Sequence, residues 1–477
     1  MPSTTLHELS PSGTPQTTYI STAHTTSSSG TSTSRLDVLP SQPAHSFSLT
    51  ALSRTASTHL LTPFLPTNYP YSVTSDYTPY QVYDSLQAFL STIASLLSSR
   101  AVLQSHGLGT TSAVLTATYA TLLSILQESI GRVATIFFAS YAGPRISSDV
   151  KFYRFLADIV NDVAFVLDVL SPSLPGAWRV PALCVSSCCR AICGVAGGSS
   201  KAILSAHFAK TADVGELNAK DGSQETVVSL VGMWVGGIVV SKVEGVAWTW
   251  IWMVVLLMGH LWANWKAVKS LRLRTLNRGR FGLMAGELIE GRVLGVEEVG
   301  KRESVFAKGG LLRDERGNMM GSCDIGVGVK ELAECMGGKK KEGSGAIGGL
   351  GVPMEDLLDA FRGERYVLWF HVSKQKAVVM LKEGADANDQ LKAWCHALRI
   401  AKAWSVKTEQ HNRHDNALNV VRATCEENNK SWHNYCTKLE KAGWDLAASV
   451  LESTPGPRLR CQSQPSWGEK ATRLSTQ

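Results

Sequence analysis

Between residues 80 and 265 apolar side chains run in blocks of about twenty, separated by short polar or glycine-containing breaks, which is the pattern of long helices and not of strands. The blocks predict helices over 80–100, 111–127 (after the break HGLG at 106–109), 130–142, 151–170, 178–210 and 224–243. The clearest block is 246–265 (VAWTWIWMVVLLMGHLWANW). It carries no charge, and about twenty residues at a rise of 1.5 Å each cross a bilayer core. Tryptophans at both of its ends suit the two membrane interfaces. Several blocks are expected to span, so Arg190, midway along an apolar run, must face protein or water, since lipid exposure would cost at least ~2.5 kcal/mol.

Outside these blocks the texture changes. Residues 1–66 are rich in Ser and Thr, poor in acid and without apolar periodicity, which predicts a disordered tail. A transit peptide has a similar composition, but Arg35 and Arg54 are the only arginines there. Residues 67–280 form the expected membrane-helix core, 281–350 a glycine-rich linker, and 351–445 a small soluble α/β module. The module rests on two β-rich runs, RYVLWFH (365–371) and AVVMLK (377–382), followed by an amphipathic helix over 388–404 and a further helix through 412–438. A proline-containing tail over 446–477 closes the chain. The fold class expected is mainly α: a polytopic membrane helical bundle with a small C-terminal α/β module and a disordered N-terminal tail.

Charge sharpens this division. Only 18% of the 477 residues are charged, and the deficit lies before Lys266. Directly after the clearest span comes KAVKSLRLRTLNRGR (266–280), with six basic residues and no acid, which places that end on the cytosolic or matrix side. Without stacking aromatics, this run is not read as a nucleic-acid patch. Ten sparse cysteines, four of them in one apolar stretch, predict packing residues and neither disulfides nor a metal site.

Three groups could carry chemistry. In 151–170 (KFYRFLADIVNDVAFVLDVL), Lys151, Arg154, Asp158, Asn161, Asp162 and Asp168 fall within an arc of about 120°. Such a stripe either lines a bundle interior or forms the solvated face of an amphipathic helix, and beside the clear span the interior is favoured. The second group is GVAGGSSKAILSAHFAKTADVGELNAKDGSQET (194–226), where Lys201 and His207 share a helix and Asp221 with Gln224 resembles a capping box opening the next. Its residues Lys220, Asp221, Ser223 and Glu225 form either an anion-binding loop at a helix N-terminus or a well-capped connector. Gly232 and Gly236, four apart, give the following helix a small-residue packing face. The third is Arg132 of the Gly131-Arg132 pair. The candidate ligand-binding residues are therefore Arg132, Asp158, Asn161, Asp162, Lys201, His207, Lys220, Asp221, Ser223 and Glu225.

The stretches SVTSDYTPYQVYDSLQA (72–88), GRVATIFFA (131–139), RFLADIVNDVAFVLDVLSP (154–172), GVAGGSSKAILSAHFAK (194–210), NAKDGSQETVVSLVG (218–232) and HLWANWKAVKSLRLRTLN (260–277) resemble, in order and spacing, the root UVB sensitive family. The region around YVLWFH and LKEGADANDQLKAWCHA is similar to that family's C-terminal part. One departure is Glu128-Ser129, where the family usually shows Asp-Gly. The resemblance implies a membrane-associated protein tied to vitamin B6 homeostasis, often acting with another family member, and names no reaction.

Two functions from different classes follow. The chain either binds or moves a small anionic metabolite such as a B6 vitamer, or serves as a non-catalytic membrane scaffold recruiting partners through its C-terminal module. An enzyme acting on pyridoxal phosphate would need a poised lysine, for which Lys201 and Lys220 are the candidates. No acid or base arrangement accompanies them, so the chain is read as a non-enzyme. The expected partners are the lipid bilayer, a B6 vitamer and another family member, with no nucleic acid, cofactor or metal.

Overall fold

The computed structural model describes residues 3–9, 15–25, 32–40, 63–105, 113–306, 309–340, 347–406, 415–452 and 455–460. Where a disordered tail is expected, three antiparallel strands form a meander: β1 (Ser3–Leu9), β2 (Pro15–Thr25) and β3 (Ser32–Pro40). Its many threonines are β-branched and fit a pleated surface, yet none of its described side chains is buried. Most of the remaining tail, 41–62, lies outside the described residues.

Six long helices follow: α1 (Tyr77–Ser105), α2 (Ala113–Ile146), α3 (Val150–Leu170), α4 (Gly176–Phe208), α5 (Val214–Lys242) and α6 (Val246–Ser270). Five of them, α1, α2 over Thr118–Ile146, α4, α5 and α6, are long and apolar enough to cross a membrane. Two corrections to the expected helices have clear causes. The blocks at 111–127 and 130–142 are one helix, because Glu128 and Ser129 continue the turn, Ser129 donating back to the Ile125 carbonyl at 2.7 Å. And α5 starts at Val214, not near Gln224, because Asp213 is its N-cap, accepting from the amides of Gly215 (2.8 Å) and Glu216 (3.1 Å).

The chain divides into two compact units, Met1–Arg100 with Ala202–Ala263, and Ala101–Lys201 with Asn264–Gln477. In the first, the expected small-residue face of α5 packs on α1. A Cβ on Gly232 would stand 3.0 Å from the Thr92 Cβ, and one on Gly236 would stand 2.6 Å from a Leu96 methyl. Arg100 closes the C-terminal end of α5, donating to the carbonyls of Val240 (3.0 Å) and Val243 (2.7 Å) and to the Thr249 hydroxyl (2.8 Å).

The second unit holds α2, α3 and a module larger than the sequence suggests. After α6 come α7 (Arg278–Ile289), α8 (Val296–Arg302), β4 (Leu311–Arg313), β5 (Met319–Ile325), α9 (Val329–Cys335), β6 (Lys339–Lys340), β7 (Ile347–Gly348), α10 (Met354–Ala360), β8 (Tyr366–His371), β9 (Lys376–Leu381), α11 (Ala387–Val406) and α12 (Asp415–Lys441). The four-stranded sheet has the order β4-β5-β9-β8. β8 and β9 pair antiparallel with Tyr366 opposite Leu381, while β5 runs parallel to β9 with Ser322 beside Lys376.

The expected 281–350 linker is thus largely ordered, and its glycines serve folded structure. Gly286 lies so close to the chain at Asp314 that a Cβ would sit 2.4 Å from the Asp314 carbonyl carbon. The expected tail from 446 also folds back over its described part. Val450 donates to the Leu276 carbonyl at 2.9 Å, Leu459 donates to Leu381 at 2.9 Å, and Leu451 is fully buried. Trp394, Phe281, Leu312 and Val379 are among the buried residues of the core that joins these pieces.

Candidate functional site

The polar stripe of α3 is an interior feature: Lys151, Asp158, Asp162 and Asp168 are all buried, and Asn161 is half-buried. Buried carboxylates require compensation, and it comes in two places. Asp158 accepts from Arg154, one turn earlier on the same helix, at 2.9 Å, and from the amide of Asn264 on α6. Asp168 is bridged to Arg190 of α4 and accepts from Ser186, so Arg190, midway along an apolar run, is paired with a buried carboxylate although its own side chain is 42% exposed. Arg132, named above as a candidate, stands apart from these carboxylates, exposed on α2 and 3.7 Å from Glu128 one turn earlier. Lys201 is half-buried on α4.

The second group is brought together differently from the loop considered above. Lys220, Asp221, Ser223 and Glu225 lie within α5, so the amides near Gly222 are consumed by the helix and do not form an N-terminal anion site. Their neighbours instead anchor the chain that enters α1. Asp221 accepts from Gln81, Gln224 donates to the Phe64 carbonyl, and Glu216 accepts from the Thr67 amide (2.7 Å) and hydroxyl (2.6 Å). Ser223 bonds its own helix at Ala219, 3.0 Å away, and Glu225 is exposed. His207 sits 3.0 Å from Asp76, beside the edge-on pair Tyr77 and Phe208. Much of this polar cluster therefore does structural work.

A cavity of about 540 Å³ lies elsewhere, built from stretches that are distant in sequence: 149–152, 277–283, 302–306 and 309–313. Five bases line it, Lys151, Arg278, Arg280, Arg302 and Arg313, with the acids Asp149 and Glu303, and from beyond the lining Asp324 pairs with Arg278 and Glu287 and Glu298 with Arg302. Glu303, buried, is its pivot: it lies 2.6 Å from the Lys151 Nζ and 3.3 Å from an Arg280 Nη, while Lys151 also donates to the Leu271 carbonyl at 2.8 Å. Burial pulls Arg280 below the ordinary arginine range, with Glu303 opposing. Desolvation likewise pushes the Asp149 carboxyl up, against the Ser148 hydroxyl and Arg280. Asn277 caps α7, its side-chain oxygen accepting from the Arg280 amide at 2.8 Å. Phe306, stacked on Trp265 of α6, forms part of the wall.

Of the sequence candidates none lines this cavity, although Lys151 belongs to the α3 stripe. The available signal was the basic run 266–280, which supplies Arg278 and Arg280. Among the described residues no group of His, Cys, Asp and Glu is arranged to hold a metal ion.

Residues 51–292 match a family profile described as the vitamin B6 photo-protection and homoeostasis domain, and residues 352–454 match the C-terminal region of root UVB sensitive proteins. The chain is 37% identical over 248 residues to RUS family member 1 of Dictyostelium discoideum, covering 51% of this chain and 47% of that protein, so the match spans about half of that relative. It is 29% identical over 389 residues to Protein root UVB sensitive 3 of Arabidopsis thaliana, covering 81% and 82% respectively. No solved structure matches.

Proposed function

The chain belongs to the root UVB sensitive family, and from that premise we propose that it serves vitamin B6 homeostasis as a multi-pass membrane protein that binds and moves a small anionic metabolite such as a B6 vitamer. The observation that carries this reading is the cavity: space for a small molecule, walled by five bases and two acids, beside the C-terminal end of the span-length helix α6. Its two buried bases, Lys151 and Arg280, share the buried carboxylate Glu303 and attract an anion into the cavity, while Arg278 is paired with Asp324 and Arg302 with Glu287 and Glu298. The carboxylates Asp158 and Asp168 of α3 are paired away from the cavity, with Arg154 and Asn264 and with Arg190.

Uptake decides the matter. The purified full chain, reconstituted in vesicles, is expected to admit labelled pyridoxal phosphate or pyridoxal faster than protein-free vesicles. Folded protein that moves none of a range of vitamers, and binds none in detergent, refutes the reading.

A further inference from the structure

We propose that the cavity recognises a phosphate monoester, whose phosphoryl oxygens are held by Arg280 and the first turn of α7. This rests on the ligand-binding reading above and specifies the chemical class that the site takes.

Three independent observations converge there. The buried bases Lys151 and Arg280 share the buried carboxylate Glu303, and the second carboxyl acting on Arg280, Asp149, is one that desolvation pushes towards its neutral form, so the pair of cations is incompletely answered. Arg280 is 2% exposed and its Nε–H has no hydrogen-bond partner among the described residues. A buried, unmatched guanidinium donor beside a cavity is what an incoming oxyanion would satisfy. Finally, α7 begins at the cavity wall with Arg278 and Gly279, whose amides precede any intrahelical acceptor and lie at the positive end of the helix dipole.

The charge requirement favours phosphate over carboxylate. A phosphate monoester brings close to two negative charges and three acceptor oxygens, enough to meet the Arg280 Nε–H and the first-turn amides of α7 together, whereas a carboxylate brings one charge and two oxygens; the Arg280 Nη atoms are already engaged with Glu303 and Thr275. Arg302 and Arg313 extend the field at the rim, where Arg302 bonds Glu287 and Glu298 and Arg313 bonds the Gly317 carbonyl at 2.9 Å. Asp149 opposes the ligand, and its carboxyl, already raised by desolvation, gains a proton more readily than an ordinary aspartate.

The test is equilibrium binding to the full chain in detergent, with inorganic phosphate, pyridoxal phosphate, pyridoxamine phosphate, unphosphorylated pyridoxal and a short-chain phosphatidic acid as separate probes. The phosphorylated vitamers are expected to bind at least tenfold more tightly than pyridoxal and to compete with inorganic phosphate. Arg280→Lys, which keeps the charge but loses the fork, is expected to weaken phosphate binding about tenfold, the worth of one charge-assisted hydrogen bond. Should that variant fold poorly, Arg313→Gln at the rim is expected to weaken binding and flatten its salt dependence. Equal affinity for pyridoxal and its phosphate, or phosphate binding unchanged by both substitutions, overturns the proposal while leaving vitamer binding intact. Binding of phosphate and phosphatidic acid without any vitamer upholds the phosphate site and removes the vitamer function.

Discussion

The packing of α5 on α1 makes a prediction whose sign can be worked out residue by residue. An alanine inside a helix gains roughly 1 kcal/mol over glycine from backbone entropy, so a glycine kept there needs a packing reason. At Gly237 nothing lies within 4 Å of an added Cβ, and Gly237→Ala should be neutral or stabilising. At Gly236 the nearest atom, 2.6 Å away, is a Leu96 methyl that can rotate aside, although the Ile93 Cα at 3.4 Å cannot, so alanine should cost little net. At Gly232 the obstacles are the Thr92 Cβ at 3.0 Å and the Phe89 carbonyl oxygen at 3.4 Å, atoms fixed to the α1 backbone. Relief there requires the helices to move apart. Overpacking of this kind costs roughly 1–3 kcal/mol, which outweighs the propensity gain. The order of melting temperatures for the purified full chain should therefore be Gly237→Ala highest, then Gly236→Ala, then Gly232→Ala, with Gly232→Leu lowest or failing to accumulate in the membrane fraction. A Gly232→Leu protein that melts like the parent would refute the close approach of α1 and α5.

Two further outcomes are expected. Val254, 49% exposed at the middle of α6, is read as facing lipid, and Val254→Asp should abolish membrane integration or folded yield, a buried charge there costing about 2.5–3.5 kcal/mol; normal yield in the membrane fraction would count against the span. His396 is fully buried in the C-terminal module, its ring nitrogens engaged with the Tyr366 hydroxyl (3.1 Å) and with Thr424 (3.0 Å), and burial pushes its pKa down to about 3. A histidine depressed in the folded state stays neutral while the unfolded chain takes up a proton. Its contribution is therefore whole well above the ordinary value near 6.5 and falls as pH drops towards 3, by roughly 1.6 kcal/mol between pH 6.5 and 5. Denaturant melts of the full chain followed by tryptophan fluorescence should show this slope, and His396→Gln should flatten it; an unchanged slope would assign the acid sensitivity elsewhere.

The sequence alone determined what depends on local composition. An apolar block declares a helix of membrane length without knowing its neighbours, and so 246–265 was legible, as were the small face at Gly232 and Gly236 and the two strands of the module at 366–371 and 376–381. The α3 stripe was legible as interior because a spacing of 100° per residue gathers its acids on one face, but which base answers each acid was not. Arg190 lies 22 residues from Asp168 and Asn264 lies 106 from Asp158, separations that no local pattern encodes. The same limit hid the second half of the module. Strand β4 has three residues and β5 (MMGSCDI) has a glycine inside it and a single β-branched residue, and they become sheet because β5 pairs with β9, far along the chain, and β4 pairs with β5. Only the tertiary structure assembled the cavity, since Lys151, Arg280 and Glu303 come from separate elements. In sequence the basic run after α6 carries only a net charge, whereas folding converts part of it into buried, directed donors.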